Sequence, residues 1–198
     1  MIKPDFRKPI PNIESVVEEW KDSLTRDDWD LISVHQTLSE PFIEKWKYKV
    51  HWHYISCYQK LSEPFIEKWK DEVAWPFTSY YQTLSEPFIE KWKDKVNWVY
   101  ISINQKLSES FIEKFQDKVD WYEIFHYQAL SEPFIEKFQD KIIDWFYLER
   151  NKNIRWNDFS EDFFEKYYQH FDLEKMNKKR PFSNDFCLKH NLDSRWNK

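Results

Sequence analysis

Read for apolar and polar positions, most of the chain is one phrase repeated. Leu-Ser-Glu-Pro-Phe-Ile-Glu-Lys starts at Leu38, Leu61, Leu84, Leu107 and Leu130, a regular 23-residue step, with Ser110 replacing the proline in the fourth copy. A period between about 20 and 50 residues marks a repeat architecture, in which each unit gains stability by stacking on its neighbours. Phe42, Ile43, Trp46 and Val50 fall within roughly 100° of one another on a helical wheel, which predicts a first helix with one apolar face. Ser39 stands where an N-cap hydroxyl accepts from an orphan N–H. Glu40 follows where the helix dipole favours an anion. Pro41 sits in the first turn, where it removes no helical bond. The capping serine recurs at Ser62, Ser85, Ser108 and Ser131.

The second segment, Trp52 to Gln59, is rich in β-formers and reads as helix or as strand. The positions constant between units are Trp52, Ile55, Ser56 and Gln59. A helical period gathers them within roughly 100°, whereas a strand period sets Trp52 and Ser56 against Ile55 and Gln59. Asn97, Asp120, Asp144 and Asp28 precede their tryptophans as N-caps would. Pro76 suits a first turn better than a central strand. The expected fold class is therefore all-α: an αα-solenoid of short two-helix, 23-residue repeats with divergent capping units.

The organisation follows from the same step. Residues 1–12, with Pro4, Pro9 and Pro11, read as an extended arm, and 13–37 as a divergent first repeat, since Trp29, Ile32, Ser33 and Gln36 lie one repeat step before the constant set. Five repeats occupy 38–158, the fifth with an extra residue before Trp145 and a longer polar tail. Degenerate repeats fill 159–198, where Phe159-Ser160 is echoed by Phe182-Ser183. All of it is expected to form one solenoid domain.

Composition narrows the chemistry. The 198 residues include no glycine, which excludes a Walker A loop, a GxGxxG turn and a GxSxG elbow. Aromatic residues make up 20%, enough for a core built of rings. The net charge of -5 argues against a general nucleic-acid binder. Cys57 and Cys187 are too few and too far apart for a disulfide framework and fit a reducing compartment. No apolar run resembles a signal peptide or reaches the roughly 18 residues of a membrane span. An intracellular protein with no membrane partner is expected.

The tryptophans Trp52, Trp75, Trp98 and Trp121 read as core, because they recur with Ile and Ser on the constant arc; Trp46 belongs with them. Gln36, Gln59, Gln82, Gln105 and Gln128 occupy one position of successive units, and a buried amide there must be hydrogen-bonded, either to a loop between units or in a ladder. The variable positions of the second helix carry the functional signal: His53, Val99 and Tyr122; Tyr54, Phe77 and Tyr100; Cys57, Tyr80, Ile103 and His126. They face away from the constant arc and form an apolar stripe of the kind that marks an interaction surface. His51, His53 and Cys57 supply too few ligands for structural zinc, and nothing in the sequence implies a cofactor or a catalytic group. Paired carboxylates such as Glu40 and Glu44 alternate with lysines as on a solvated helix face with i, i+3 pairs. Lys175, Lys178, Lys179 and Arg180 form a short basic run of the nuclear-import kind, read as lying in the turn between the last two repeats.

The unit from Leu84 to Gln105, LSEPFIEKWKDKVNWVYISINQ, resembles a short repeat found in many copies in proteins of giant DNA viruses of amoebae. The resemblance covers about 38–150. It implies a virus-encoded repeat protein and no catalytic residues. The expected function is a non-enzymatic scaffold that binds a host or viral protein. The alternatives are a structural component of the virion and association with nucleic acid through the basic C-terminal end.

Overall fold

The computed structural model describes residues 3–193, and among them there is no β-strand. The chain is an all-α solenoid of short two-helix repeats. It divides into two compact units between Gln105 and Lys106, one residue before the repeat that starts at Leu107.

Unit 1 contains α1 (Ile13–Trp20), α2 (Arg26–His35), α3 (Glu40–Lys45), α4 (Trp52–Tyr58), α5 (Glu63–Lys68), α6 (Trp75–Tyr81), α7 (Glu86–Lys91) and α8 (Trp98–Asn104). The second helices stack in chain order, α2 on α4, α4 on α6 and α6 on α8. Unit 2 contains α9 (Glu109–Lys114), α10 (Trp121–Tyr127), α11 (Glu132–Lys137), α12 (Trp145–Arg150), α13 (Glu161–Tyr167), α14 (Leu173–Lys179) and α15 (Asn184–Lys189), with α10 packed on α12.

Helices of six or seven residues are far shorter than the roughly 12–15 needed for a helix alone in water, so packing must hold them. The first helix starts as its residues dictate. Ser39, Ser62, Ser85, Ser108 and Ser131 each accept the N–H three residues on, and proline occupies the first turn in four of the five. It ends sooner than the apolar arc suggests. Trp46 leaves the helical region at φ -106° and ψ 23°, and Val50 reaches the core through a turn in which its N–H donates to Trp46 O at 3.0 Å. The second segment is helix, and its constant set faces inward. Ile55, Ile101 and Ile124 are fully buried, as are Ile43, Ile66, Ile89 and Ile112 of the first helices. Each such side chain contributes about 1.5–3 kcal/mol by leaving water.

Polar side chains repeat across the seams as strictly as the apolar ones. In unit 1, Gln59 Nε2 donates to Ser33 O and Gln36 O at 3.0 and 2.7 Å, while its Oε1 accepts from Leu38 N at 2.9 Å. Gln82 does the same to Ser56 O, Gln59 O and Leu61 N. Gln105 does so to Ser79 O, Gln82 O and Leu84 N. One amide thus satisfies the last carbonyls of the preceding second helix and an N–H of the loop that follows it. Both roles expected of the glutamines, loop tie and ladder, are filled by the same side chain. Gln36 makes the same three bonds to the arm, donating to Phe6 O and Lys8 O and accepting from Ile10 N. Residues 6–10 thus supply the bonds that a preceding repeat would, and Phe6 among them is buried.

A second device uses the constant serine. Ser56 Oγ donates to Trp52 O at 2.8 Å and accepts from Ala74 N at 2.9 Å; Ser33 and Ser79 make the equivalent pairs with Trp29 O and His51 N, and with Trp75 O and Asn97 N. In unit 2 the corresponding position is Phe125, which is buried. The segment that a serine would tether there contains the extra residue: it forms a 3-10 turn at Gln139–Lys141, and Ile143 stands 78% exposed.

Asp28 departs from the sequence reading. Thr25, not Asp28, is the N-cap of α2, and Asp28 closes the capping box by accepting from Thr25 N at 2.6 Å. Without glycine, the chain places its left-handed backbone on asparagine, the side chain that tolerates it best: Asn12 at φ 54° and Asn191 at φ 55° among the described residues.

Candidate protein-binding face

The seams above aim one side of every second helix away from the core. In unit 1 the helices of that side are α2, α4, α6 and α8; α2 carries Arg26, Asp27, Asp28 and Asp30, whereas α4, α6 and α8 contain no Asp, Glu, Lys or Arg. The face these three present is made of rings and aliphatic groups. His53 and Phe77, from successive repeats, lie 4.1 Å apart between ring centroids, and Phe77 stacks on Tyr81 at 6.4 Å and 11°. Tyr80 meets Tyr81 at 4.6 Å and Tyr100 of the next repeat edge-on at 5.1 Å. Tyr54 lies on His51 at 4.5 Å. His53, Tyr80 and Val99 are exposed, while Tyr54, Cys57, Phe77, Tyr100 and Ile103 are half-buried. Burial pushes the Cys57 thiol up from its ordinary range, so it remains a thiol rather than a reactive thiolate.

In unit 2 the face is shorter. Tyr122 and His126, both half-buried, converge on Tyr147 at 4.8 and 5.1 Å. A hydrogen bond with the Tyr147 hydroxyl, assisted by burial, pushes the Tyr122 phenol up to about 12. Glu123, at the rim, has its carboxyl raised by burial and by the neighbouring Asp120 charge.

Within unit 1 ring contacts link His53 to Phe77 and Tyr80 to Tyr100, within unit 2 Tyr122 and His126 meet at Tyr147, and the structure adds residues that the sequence reading did not name. Tyr58 at 59% and Tyr81 at 54% are more exposed than any tyrosine named from the sequence, and Tyr147 joins the set in unit 2. These residues occupy variable positions that the repeat step points to but does not rank. Asn151 is the glutamine equivalent of the fifth repeat: its Nδ2 donates to Phe125 O and Gln128 O at 2.9 and 2.8 Å. Its place one repeat step after Gln128 is the signal that points to it.

The tryptophans form the roof of the core. Trp75 is buried, whereas Trp46, Trp52, Trp98 and Trp121 are half-buried. Within each unit second-helix indoles pack on the ring at the end of the next first helix, as Trp52 on Trp69 and Trp75 on Trp92, both at 5.5 Å, and Trp121 on Phe138 at 4.8 Å. Trp52 Nε1 donates to Lys47 O, and lysine stems cover outer faces, as Lys47 over Trp69 at 4.9 Å.

Apart from an i, i+3 pair of Glu18 with Lys21 at the end of α1, the carboxylates and lysines named from the first helices pair along the stack, which corrects the i, i+3 expectation. Lys68 reaches Glu44 of the preceding repeat at 2.5 Å, and Lys91 reaches Glu67 at 2.5 Å; Lys137 pairs with Glu113 and Lys45 with Glu18 in the same way. Glu40 and Glu63 accept the backbone N–H of Ser62 and Ser85 at 2.6 and 2.5 Å. The basic run is likewise not a turn. Lys175, Lys178 and Lys179 lie in α14, with Arg180 as its C-cap. Lys175 pairs with Asp172 at 2.7 Å, Lys179 donates to Glu149 O at 2.7 Å, and Arg180 donates to Phe159 O at 2.8 Å while lying against Phe182. Among the described residues no group of three or more His, Cys, Asp or Glu is arranged to hold a metal ion, and no helix is long and apolar enough to cross a membrane.

Comparison with known sequence families, with curated proteins and with solved structures finds no match.

Proposed function

We propose that this chain is a non-catalytic repeat scaffold whose second-helix face holds another protein through an uncharged, apolar segment. The observation that carries the proposal is the contrast between the two sides of the repeats that contain α3 to α8. The first helices show paired lysines and glutamates, as a solvated surface does. The faces of α4, α6 and α8 carry no charge at all, and their interleaved histidine, phenylalanine and tyrosine rings are left partly in water. Tyrosine is the side chain that gives an interface large contact area at low entropic cost, with a hydroxyl to fix register. The likeness of the 23-residue unit to giant-virus repeats supports a virus-encoded factor acting on a host or viral protein.

The test is paired. A protein recovered from host lysate on the wild-type chain is purified and titrated against it, then against a Tyr54→Ser, Phe77→Ser, Tyr100→Ser variant whose helicity is checked by circular dichroism. Saturable one-to-one binding that falls at least about tenfold in the folded variant supports the face. Equal affinity for both chains refutes its location.

A further inference from the structure

Between Ser131 and Ser160 the repeat is six residues longer than its 23-residue step. The added length follows Asn151, where Asn151 Oδ1 accepts from Asn153 N at 2.8 Å, and it ends in a 3-10 turn at Trp156–Asp158. The insertion is not a solvated bulge. It buries Ile154 and Trp156, at 5% and 6% exposure, and borders a cavity of about 490 Å³ within unit 2. Such a volume lies within the roughly 300–1,000 Å³ typical of small-molecule sites.

The lining runs against the charge of the chain. Arg150, Lys152, Arg155 and Lys179 bring four cations, and Asp158 the single carboxylate, in a protein of net charge -5. The first-helix lysines of the repeats reach glutamates across the seams, but among the described residues neither Arg150 nor Lys152 has a carboxylate at ion-pair distance. Arg150 is instead held over the Phe146 ring at 3.8 Å, which fixes its guanidinium. Arg155 pairs only with exposed Asp158, at 3.2 Å. Lys179 has its pKa lowered by burial, with Lys175 and Arg150 adding repulsion against the attraction of Glu149. Together these are four solvent-facing cations around one cavity whose lining holds a single carboxylate.

We infer that this cavity is a binding site for a small molecule bearing adjacent phosphates, a free oligophosphate or a nucleoside polyphosphate. Planar guanidinium groups at Arg150 and Arg155 suit phosphate oxygens in pairs, and the lysines add point charge. The buried indole leaves no ring face for a base, so recognition centres on the phosphates. This site is separate from the second-helix face and does not depend on its role.

The experiment is calorimetric titration of the full chain with pyrophosphate, ATP and AMP at low ionic strength. Pyrophosphate is expected to bind saturably at one site, ATP comparably and AMP at least about tenfold more weakly. Arg150→Ala with Lys152→Ala, both exposed positions, lowers pyrophosphate affinity at least about tenfold, and Arg155→Ala lowers it on its own. Lys60→Ala with Lys106→Ala, which removes two cations elsewhere, leaves it unchanged. ATP binding that greatly exceeds pyrophosphate binding places the ligand with nucleotides; parity places it with oligophosphates; either supports the site. No saturable pyrophosphate binding up to about 10 mM overturns it. So does equal loss in the two double variants, which would mean a diffuse field. A single-stranded oligonucleotide that binds more tightly than pyrophosphate and loses affinity in the Arg150/Lys152 variant would also overturn it, assigning the cavity to a nucleic-acid backbone.

Discussion

Gln82 is the sharpest place to perturb the stack. Its amide is 5% exposed, donates to Ser56 O and Gln59 O at 2.9 and 2.8 Å, and accepts from Leu61 N at 2.9 Å. Three substitutions remove different parts of that set. Gln82→Leu fills nearly the same space and makes none of the bonds. At about 1 kcal/mol for each lost bond, and more for a buried group left unsatisfied, the expected cost is about 3–5 kcal/mol. Gln82→Glu keeps the acceptor but turns two donors into a buried anion facing two carbonyls, so at neutral pH it should cost at least as much. Gln82→Asn should cost about 1–2 kcal/mol, because Asn151 already shows that the shorter amide reaches both carbonyls while its oxygen bonds locally to Asn153 N. Urea unfolding followed by circular dichroism reads the order Gln, Asn, Leu, Glu from most to least stable. Because stability in a stack is a sum of neighbour terms, hydrogen exchange should speed first in α4 and α6. The Glu variant should recover part of its loss as pH falls and its carboxyl protonates. A Glu variant as stable as wild type at pH 7, or an Asn variant worse than Leu, would refute the latch as the element that binds repeat to repeat.

Other outcomes follow from the same geometry. Ile89→Ala, at a fully buried position, should cost about 2–5 kcal/mol in urea titration, whereas Lys68→Met, which deletes an exposed seam pair, should cost under about 1 kcal/mol and lose its effect in high salt. Asn12→Val forces a β-branched residue to φ 54° and should cost about 1–2 kcal/mol in thermal melts, while Asn12→Gly stays close to wild type. In Asp28 and Glu161 burial would raise the carboxyls, but hydrogen bonds outweigh it, from Lys3 and Thr25 in one and from Ser183 and Arg180 in the other, and both pKa values are lowered. Their stabilisation is full above the ordinary carboxylate range, about pH 4, and is lost as pH falls through the lowered folded values. Replacing Glu161 with Gln should therefore lower stability at pH 7 and flatten the acid limb of a stability–pH profile.

What the sequence makes legible is whatever the period repeats. The serine caps, the inward isoleucines, the helical second segment and the shared role of the glutamines all follow from positions that recur once per repeat, because a seam that repeats must be satisfied the same way each time. What it hides is geometry across a seam. Glu44 and Lys47 look like neighbours on one helix, yet Glu44 pairs with Lys68 because the helix ends at Lys45 and the side chains are offset along the stack. Asp28 resembles the caps of later repeats, but α2 begins a turn earlier and makes it a third-position partner of Thr25. The basic residues 175–180 appear as a linear run, while the helix they form turns Lys179 and Arg180 onto carbonyls of other elements. The cavity beside Trp156 lies where the period breaks, and there the pattern has nothing to say.

The glutamine latch recurs with the same three bonds at successive seams of unit 1, so one interior repeat meets its neighbours much as any other does. A crossover between two near-identical stretches of the coding sequence, each one module long, would therefore add or delete a whole module while leaving every junction chemically complete. Such a chain can change its reach in fixed increments from one generation to the next, with selection acting on how far it extends before it acts on how well it folds.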